Sequence, residues 1–320
     1  MPMTELISLH YPLKELPQLT SKQVLAMGFF DGVHLGHQKV IQEAARVAHE
    51  NGLPLAVLTY SPYPGLVFKK LPQPWHDLTP LDQKVQLLAK LGVDRVYCLQ
   101  LTSHLSALHP EEFIKEILLP LQVHTVVAGF DHRYGKKEYQ ADMAHLPEYA
   151  AGRFDVLTVA KKTLGKSVAK VASRQIRQDL AAGDLVAVTE SLGRVHETTG
   201  LIVHGDARGR TLGFPTINIW TPEVEFLPGI GVYAVSAYVD GRWVDGMASI
   251  GRNVTFEANR PVTVEINLFD FAGEVYGEQV KVQWYAKLRN EVKFDSAEAL
   301  VDQLLIDQQK TREYFQEKAD

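Results

Sequence analysis

Cysteine is almost absent: Cys98 is the only one in 320 residues. A single thiol excludes an internal disulfide framework and a cysteine-based zinc site. It lies in the apolar run Val96-Tyr97-Cys98-Leu99, which reads as packing. Long hydrophobic runs are missing too. No stretch reaches the roughly 18 apolar residues that a membrane-spanning helix needs, and Met1 to Leu16 lacks a basic-then-apolar signal pattern. There is no basic excess: the formal net charge is −5, which argues against a general nucleic-acid binder. Internal repeats and low-complexity segments are not apparent. What is present is an ordinary globular composition, 46% hydrophobic and 22% charged, in a chain long enough for one large or two medium domains. A cytoplasmic location is expected.

The most informative stretch runs from Met27 to His37. The apolar run Val24-Leu25-Ala26-Met27 reads as a buried strand, and Gln38 to Glu50 reads as a helix with Val40, Ile41, Ala44, Ala45 and Ala48 on one face. Gly28, Gly32 and Gly36 let backbone approach a ligand closely. His34 and His37 flank Leu35-Gly36 at the mouth of the helix, where unpaired N–H groups and the positive dipole favour phosphate. Histidines placed there can donate to a polyphosphate and stabilise charge that develops during transfer.

Strand and helix patterns then alternate. Leu55 to Thr59, Val93 to Leu99 and Thr125 to Ala128 read as strands. Thr79-Pro80-Leu81 reads as a helix start, with Thr79 as the cap and Pro at the first helical position. A further helix is expected from Pro110 to about Leu121. Such alternation predicts a parallel sheet covered by helices on both faces, with ligands beyond the carboxyl ends of its strands. The segment Gly129 to Lys137 ends one of those strands with an acid and several bases. There Arg133 can grip phosphate and Asp131 can orient base or ribose.

The pattern changes near residue 185 to short strands and tight turns. Val232 to Val239 and Arg242 to Ile250 flank Asp240-Gly241, a strong hairpin signal. Alternation at Val262 to Leu268 and Val280 to Trp284 suggests a small antiparallel barrel. Asp295 to Glu298 opens a closing helix whose apolar face is expected to carry Leu300, Val301, Leu304, Leu305 and Phe315. Within Gly209-Arg210-Thr211-Leu212-Gly213-Phe214-Pro215-Thr216-Ile217-Asn218, Thr216 and Asn218 are two apart and share a face when extended. A hydroxyl and an amide oxygen suit Mg²⁺.

Phe-Asp-Gly-Val-His-Leu-Gly-His-Gln at 30–38 resembles the adenylyltransferase half of the prokaryotic bifunctional riboflavin kinase/FAD synthetase family, and the 209–218 segment resembles that family's kinase signature. The resemblance covers about residues 20 to 315. It implies an α/β, Rossmann-like nucleotidyltransferase-type parallel-sheet domain over 1–185 and a riboflavin kinase β-barrel with a closing helix over 186–320. It implies ATP-dependent phosphorylation of riboflavin to FMN and adenylylation of FMN to FAD, with Mg²⁺ bound and only small-molecule partners, in a monomer or weak homo-oligomer. Glu265, in Val264 to Phe271, would be the kinase base. His34, His37 and Arg177 would serve adenylyl transfer; Arg177 and Ser173 belong to a segment resembling the family's Ile-Ser-Ser-Thr-x-Ile-Arg. Gly28, Phe30, Asp31, Gly36, Asp131, Arg133, Ser173, Gly209, Gly213 and Pro215 would contact ATP. Arg289, Asn253 and Tyr63 would contact flavin, and Thr216 and Asn218 the metal. Departures from the family pattern are Phe29 for Asn, Tyr63 for His, Ala172 for Ser, His132 for Phe, Asn267 for His and Val254 for Pro. Three other readings stay open: a riboflavin kinase with a weak or inactive first domain, an adenylyl- or cytidylyltransferase for a different acceptor, which leaves the second half unexplained, and a flavin- or nucleotide-sensing regulatory protein.

Overall fold

The computed structural model describes residues 4–14, 16, 18–71, 74–160, 172–205, 208–251 and 262–319. Asn253 and Val254, named above, lie outside them. The chain forms two compact units, one of residues 1–75 and 79–172, the other of residues 76–78 and 173–320.

The first unit holds six parallel strands: β1 (Glu5–Leu9), β2 (Gln23–Met27), β3 (Leu55–Ser61), β4 (Arg95–Gln100), β5 (Val123–Gly129) and β6 (Asp155–Val159). Their order is β1-β4-β3-β2-β5-β6. Neither edge strand, β1 nor β6, was expected from the sequence. Every residue of β2 is buried because the strand lies inside the sheet and is covered on both faces. Leu25 and Met27 pack into one core with Phe113, Ile114 and Ile117. Val24 and Ala26 face the other core, with Ile41 and Ala44 of α1 (Leu35–Asn51) and Leu88 of α2 (Leu81–Lys90). The Cys98 side chain is buried, as its apolar setting suggested.

The start of α2 corrects the sequence reading. Pro80 is its N-cap residue, and no side chain caps the helix. The Thr79 hydroxyl instead accepts a hydrogen bond from the Gly32 N–H at 2.9 Å, so it serves the glycine turn after β2.

The second unit is a closed antiparallel barrel of β7 (His196–Val203), β8 (Ile217–Trp220), β9 (Gly231–Val239), β10 (Arg242–Gly251), β11 (Thr263–Leu268) and β12 (Gln279–Arg289), in the order β10-β11-β8-β7-β12-β9. Two helices precede it, α3 (Ser173–Ala182) and α4 (Leu185–Leu192), and α5 (Ala297–Ala319) follows. The packing division falls between Ala172 and Ser173, before the boundary near 185 that the change of pattern suggested. The reason is local: the Leu180 carbonyl accepts from the Gly229 N–H at 2.9 Å, and Lys287 Nζ donates to the Ala182 carbonyl at 3.3 Å. Residues 76–78 join the same unit because Asp77 N–H donates to the Val224 carbonyl at 2.7 Å. Val301 and Leu304 of α5 pack on Phe214, Met247 and Phe269. Leu305, expected on that apolar face, is 52% exposed.

Candidate active sites

In the first unit the turn after β2 is tightly specified. Gly28 N–H donates to the Leu58 carbonyl at 3.1 Å. Phe30 and Val33 adopt left-handed backbone, with φ of 52° and 40°, a strained conformation that clusters at ligand sites. Phe30 and Asp31 are both buried, and an Asp31 carboxylate oxygen accepts from Thr79 N–H at 3.4 Å. The Phe29 carbonyl accepts from Thr59 Oγ1 and from Lys84 Nζ, each at 2.9 Å.

His34 is the N-cap of α1, and its Nδ1 accepts from the His37 N–H at 3.3 Å. An accepting Nδ1 places the proton of neutral His34 on Nε2. The two imidazoles stack, with ring centroids 3.6 Å apart and planes 17° from parallel. Gly36 permits this stack: a Cβ there would lie 3.1 Å from His34 Cε1 and 3.2 Å from Nδ1. Burial first, then His34 and Lys84, hold His37 well below the ordinary histidine range. His37 Nδ1 is buried and has no hydrogen-bond partner among the described residues. Two stacked imidazoles thus stand at a helix N-terminus, where donors and dipole both suit phosphate.

Beside the carboxyl ends of β3 and β5 lies an apolar cavity of about 340 Å³, lined by Tyr60, Phe68, Leu101, Phe113, Arg133 and Tyr134 among others. The hydroxyls of Tyr60 and Tyr134 are buried and lack partners among the described residues, as does Nε2 of His132. Burial raises both phenols and pushes His132 down to about 4. An unmet buried polar atom costs about 1–3 kcal/mol, so the cavity suits a ligand with an apolar body and polar atoms. Asp131 and Arg133 are exposed at the same strand end. Tyr63 stacks on Trp75 at 4.1 Å and meets Phe29 at 5.3 Å. Nothing in the sequence pattern singled out Tyr60 or Trp75.

In the second unit, Asn218 of β8 stands directly opposite Glu265 of β11, so their side chains share a face. Thr216 Oγ1 donates to Glu265 Oε2 at 3.4 Å. Three oxygen-bearing side chains therefore form one half-buried patch, a hard donor set that fits Mg²⁺. Gly205 abuts it: a Cβ there would come within 2.1 Å of Asn218 Nδ2, a constraint the sequence reading missed. The loop before β8 is tied down by Phe214 N–H to the Gly209 carbonyl at 2.8 Å. Asn267 Nδ2 also donates to the Pro215 carbonyl at 2.7 Å. Gly213 lies in the same loop with left-handed φ.

Ser173, the first residue of α3, and Arg177 both belong to the second unit, whereas the histidine pair belongs to the first. Arg177 Nη1 donates to the His76 carbonyl at 2.6 Å and its guanidinium lies over Phe226. Arg289 makes a bidentate pair with the fully buried Asp307 of α5, with Nε and Nη2 both 2.8 Å from Oδ2. These contacts anchor loop and helix.

One unit, a parallel α/β sheet with a histidine pair at a helix mouth, and another, a barrel with a Thr–Asn–Glu patch, both have the form of phosphate-handling transferase domains. The FAD synthetase family model matches residues 16–174 and the riboflavin kinase model matches residues 192–315. A bifunctional riboflavin kinase/FMN adenylyltransferase of Listeria monocytogenes is 43% identical over 97% of this chain and 98% of its own. The Bacillus subtilis protein of that name is 38% identical over the same shares. A Streptococcus pneumoniae structure described as a macrolide-efflux protein superposes with a TM-score of 0.87 at 31% identity, covering 96% of this chain and 99% of that one. Among the described residues no helix is long and apolar enough to cross a membrane. The chain belongs to the bifunctional riboflavin kinase/FMN adenylyltransferase family.

Proposed function

We propose that the two activities of the family, riboflavin phosphorylation and FMN adenylylation with ATP, run at two separate sites of this chain. In the barrel, Glu265 accepts the proton of the riboflavin 5′-hydroxyl. That oxygen attacks the γ-phosphorus of ATP, and ADP leaves. Thr216 and Asn218 would hold Mg²⁺, which when bound offsets charge on the phosphates. Phosphoryl transfer asks little of the protein beyond positioning and electrostatics, and the Thr216–Asn218–Glu265 patch supports that role.

In the first unit, a phosphate oxygen of FMN attacks the α-phosphorus of ATP and pyrophosphate leaves. His34 and His37 donate from Nε2 to the phosphates, aided by the mouth of α1. The flavin ring fits the apolar cavity, with Tyr60, Tyr134 and His132 meeting its polar atoms. Arg177 and Arg289 keep their expected contacts, to the ATP phosphates and to flavin, with N–H groups left beyond those that hold the His76 carbonyl and Asp307. The stacked His34–His37 pair carries this reading, because structural helix caps need only one such side chain. We place the protein in the cytoplasm.

The test is chromatography of products from the full chain with riboflavin, ATP and Mg²⁺. FMN should appear first and FAD after it. FMN without FAD under every divalent cation tried reduces the reading to a kinase, and neither product leaves a flavin- or nucleotide-sensing protein.

A further inference from the structure

The histidine pair does not stand alone. Lys84, midway along α2, is buried to 4% exposure, which is rare for a lysine. Its Nζ donates to the Phe29 carbonyl at 2.9 Å and lies 4.4 Å from the centre of the Phe29 ring. Thr59 Oγ1 donates to the same carbonyl from β3. Phe29 opens the strained turn that ends in His34, so whatever fixes its carbonyl fixes the approach to the pair.

We propose that Lys84 is a positioning residue for adenylyl transfer: its buried ammonium holds the Phe29 carbonyl and so fixes the turn that leads into the histidine pair. The inference rests on the reading that the first unit adenylylates FMN. Two consequences follow from the geometry. The turn is pinned from two elements, β3 and α2, so the histidines are preorganised before ATP arrives. The charge also disfavours protonation of His37. Among the described residues, the titratable and charged groups acting on that imidazole are His34, stacked on it, and Lys84, and both depress it after burial. His37 therefore stays neutral, its proton free for Nε2 because Nδ1 is buried without a partner among the described residues.

The test compares Lys84→Met, which keeps the alkyl packing and removes the charge, with Lys84→Arg, which keeps the charge. Both are made in the full chain. Lys84→Met should lower kcat for FAD formation about 10- to 100-fold with KM for FMN nearly unchanged. It should also move the acid limb of that rate to higher pH. Conversion of riboflavin to FMN should stay at the wild-type rate, and Lys84→Arg should restore part of the loss. NMR titration of His37, which needs no turnover, should show its pKa rise in Lys84→Met. An unchanged His37 titration or unchanged FAD turnover in a folded Lys84→Met overturns the proposal. If Lys84→Met does not fold, Lys84→Arg decides: wild-type His37 titration with substantial turnover supports it, and loss of both overturns it. A wild type that makes no FAD defeats the activity reading instead, and the titration still reads the Lys84–His37 coupling.

Discussion

Gly36→Ala tests the histidine stack by adding one methyl group. The new Cβ would lie 3.1 Å from His34 Cε1 and 3.2 Å from Nδ1, closer than ordinary contact, so the ring must shift by a few tenths of an ångström. That shift strains the 3.3 Å hydrogen bond from His37 N–H to His34 Nδ1, a cap of the kind worth about 0.5–2 kcal/mol. Alanine in a helix regains up to about 1 kcal/mol over glycine. The two terms nearly cancel, so the melting temperature should move by only a few degrees. Catalysis has no such compensation. A donor displaced from its preorganised position should lower FAD formation about 10- to 100-fold. The assay follows FAD from FMN and ATP, with FMN from riboflavin as the internal control. Full-rate FAD synthesis in a folded Gly36→Ala protein refutes the stack as the working device. An equal fall in both activities points to a general structural defect.

Asn218→Ala should raise the Mg²⁺ concentration needed for half-maximal FMN formation while leaving riboflavin KM nearly unchanged; titrating the metal at saturating flavin reads this. Arg289→Met strands the buried Asp307 carboxylate and should cost about 3–5 kcal/mol in denaturant unfolding of the second unit, whereas Arg289→Met with Asp307→Leu should recover much of it. Buried His196, whose ring faces the Phe226 carbonyl at 2.9 Å, is pushed down to about 4, chiefly by burial. Its folded value lies below the unfolded one near 6.5, so its contribution is fully present above about pH 6.5 and is lost as pH falls toward 4. Unfolding of wild type should therefore lose about 2 kcal/mol between pH 7 and 5 from this group, and His196→Gln should lack that component.

The strand–turn–helix around His34 was legible because three signals coincide: the apolar run Val24 to Met27 of β2, closely spaced glycines and a one-faced helix. The barrel's hairpin at Asp240-Gly241 and the alternation in β11 were equally plain; spacing placed Thr216 and Asn218 on one face, and the strand pairing adds Glu265 opposite Asn218. The edge strands were not legible. β1 and β6 each pair on one side only and leave most side chains exposed or half-buried, so neither carries a clean apolar pattern. Thr79 before Pro80 has the form of a helix cap, and only the tertiary partner, Gly32, reveals its other use. Lys84 on a helix reads as solvated until the Phe29 carbonyl is seen against it. Arg177 and Arg289 suit phosphate chemically, and their contacts to the His76 carbonyl and the Asp307 carboxylate are tertiary, so the sequence does not display them.

The central claim, that two chemistries run at two sites, is tested most directly by crossing substrates with variants of the full chain. Glu265→Gln and His34→Ala/His37→Ala are each given riboflavin plus ATP, then FMN plus ATP, and the products are resolved by chromatography. Glu265→Gln should lose FMN formation by about 10²-fold or more yet still convert supplied FMN to FAD. The double histidine variant should make FMN at the wild-type rate and no FAD from either substrate. Wild-type FAD formation by the histidine variant, or loss of both steps in Glu265→Gln, would contradict the account.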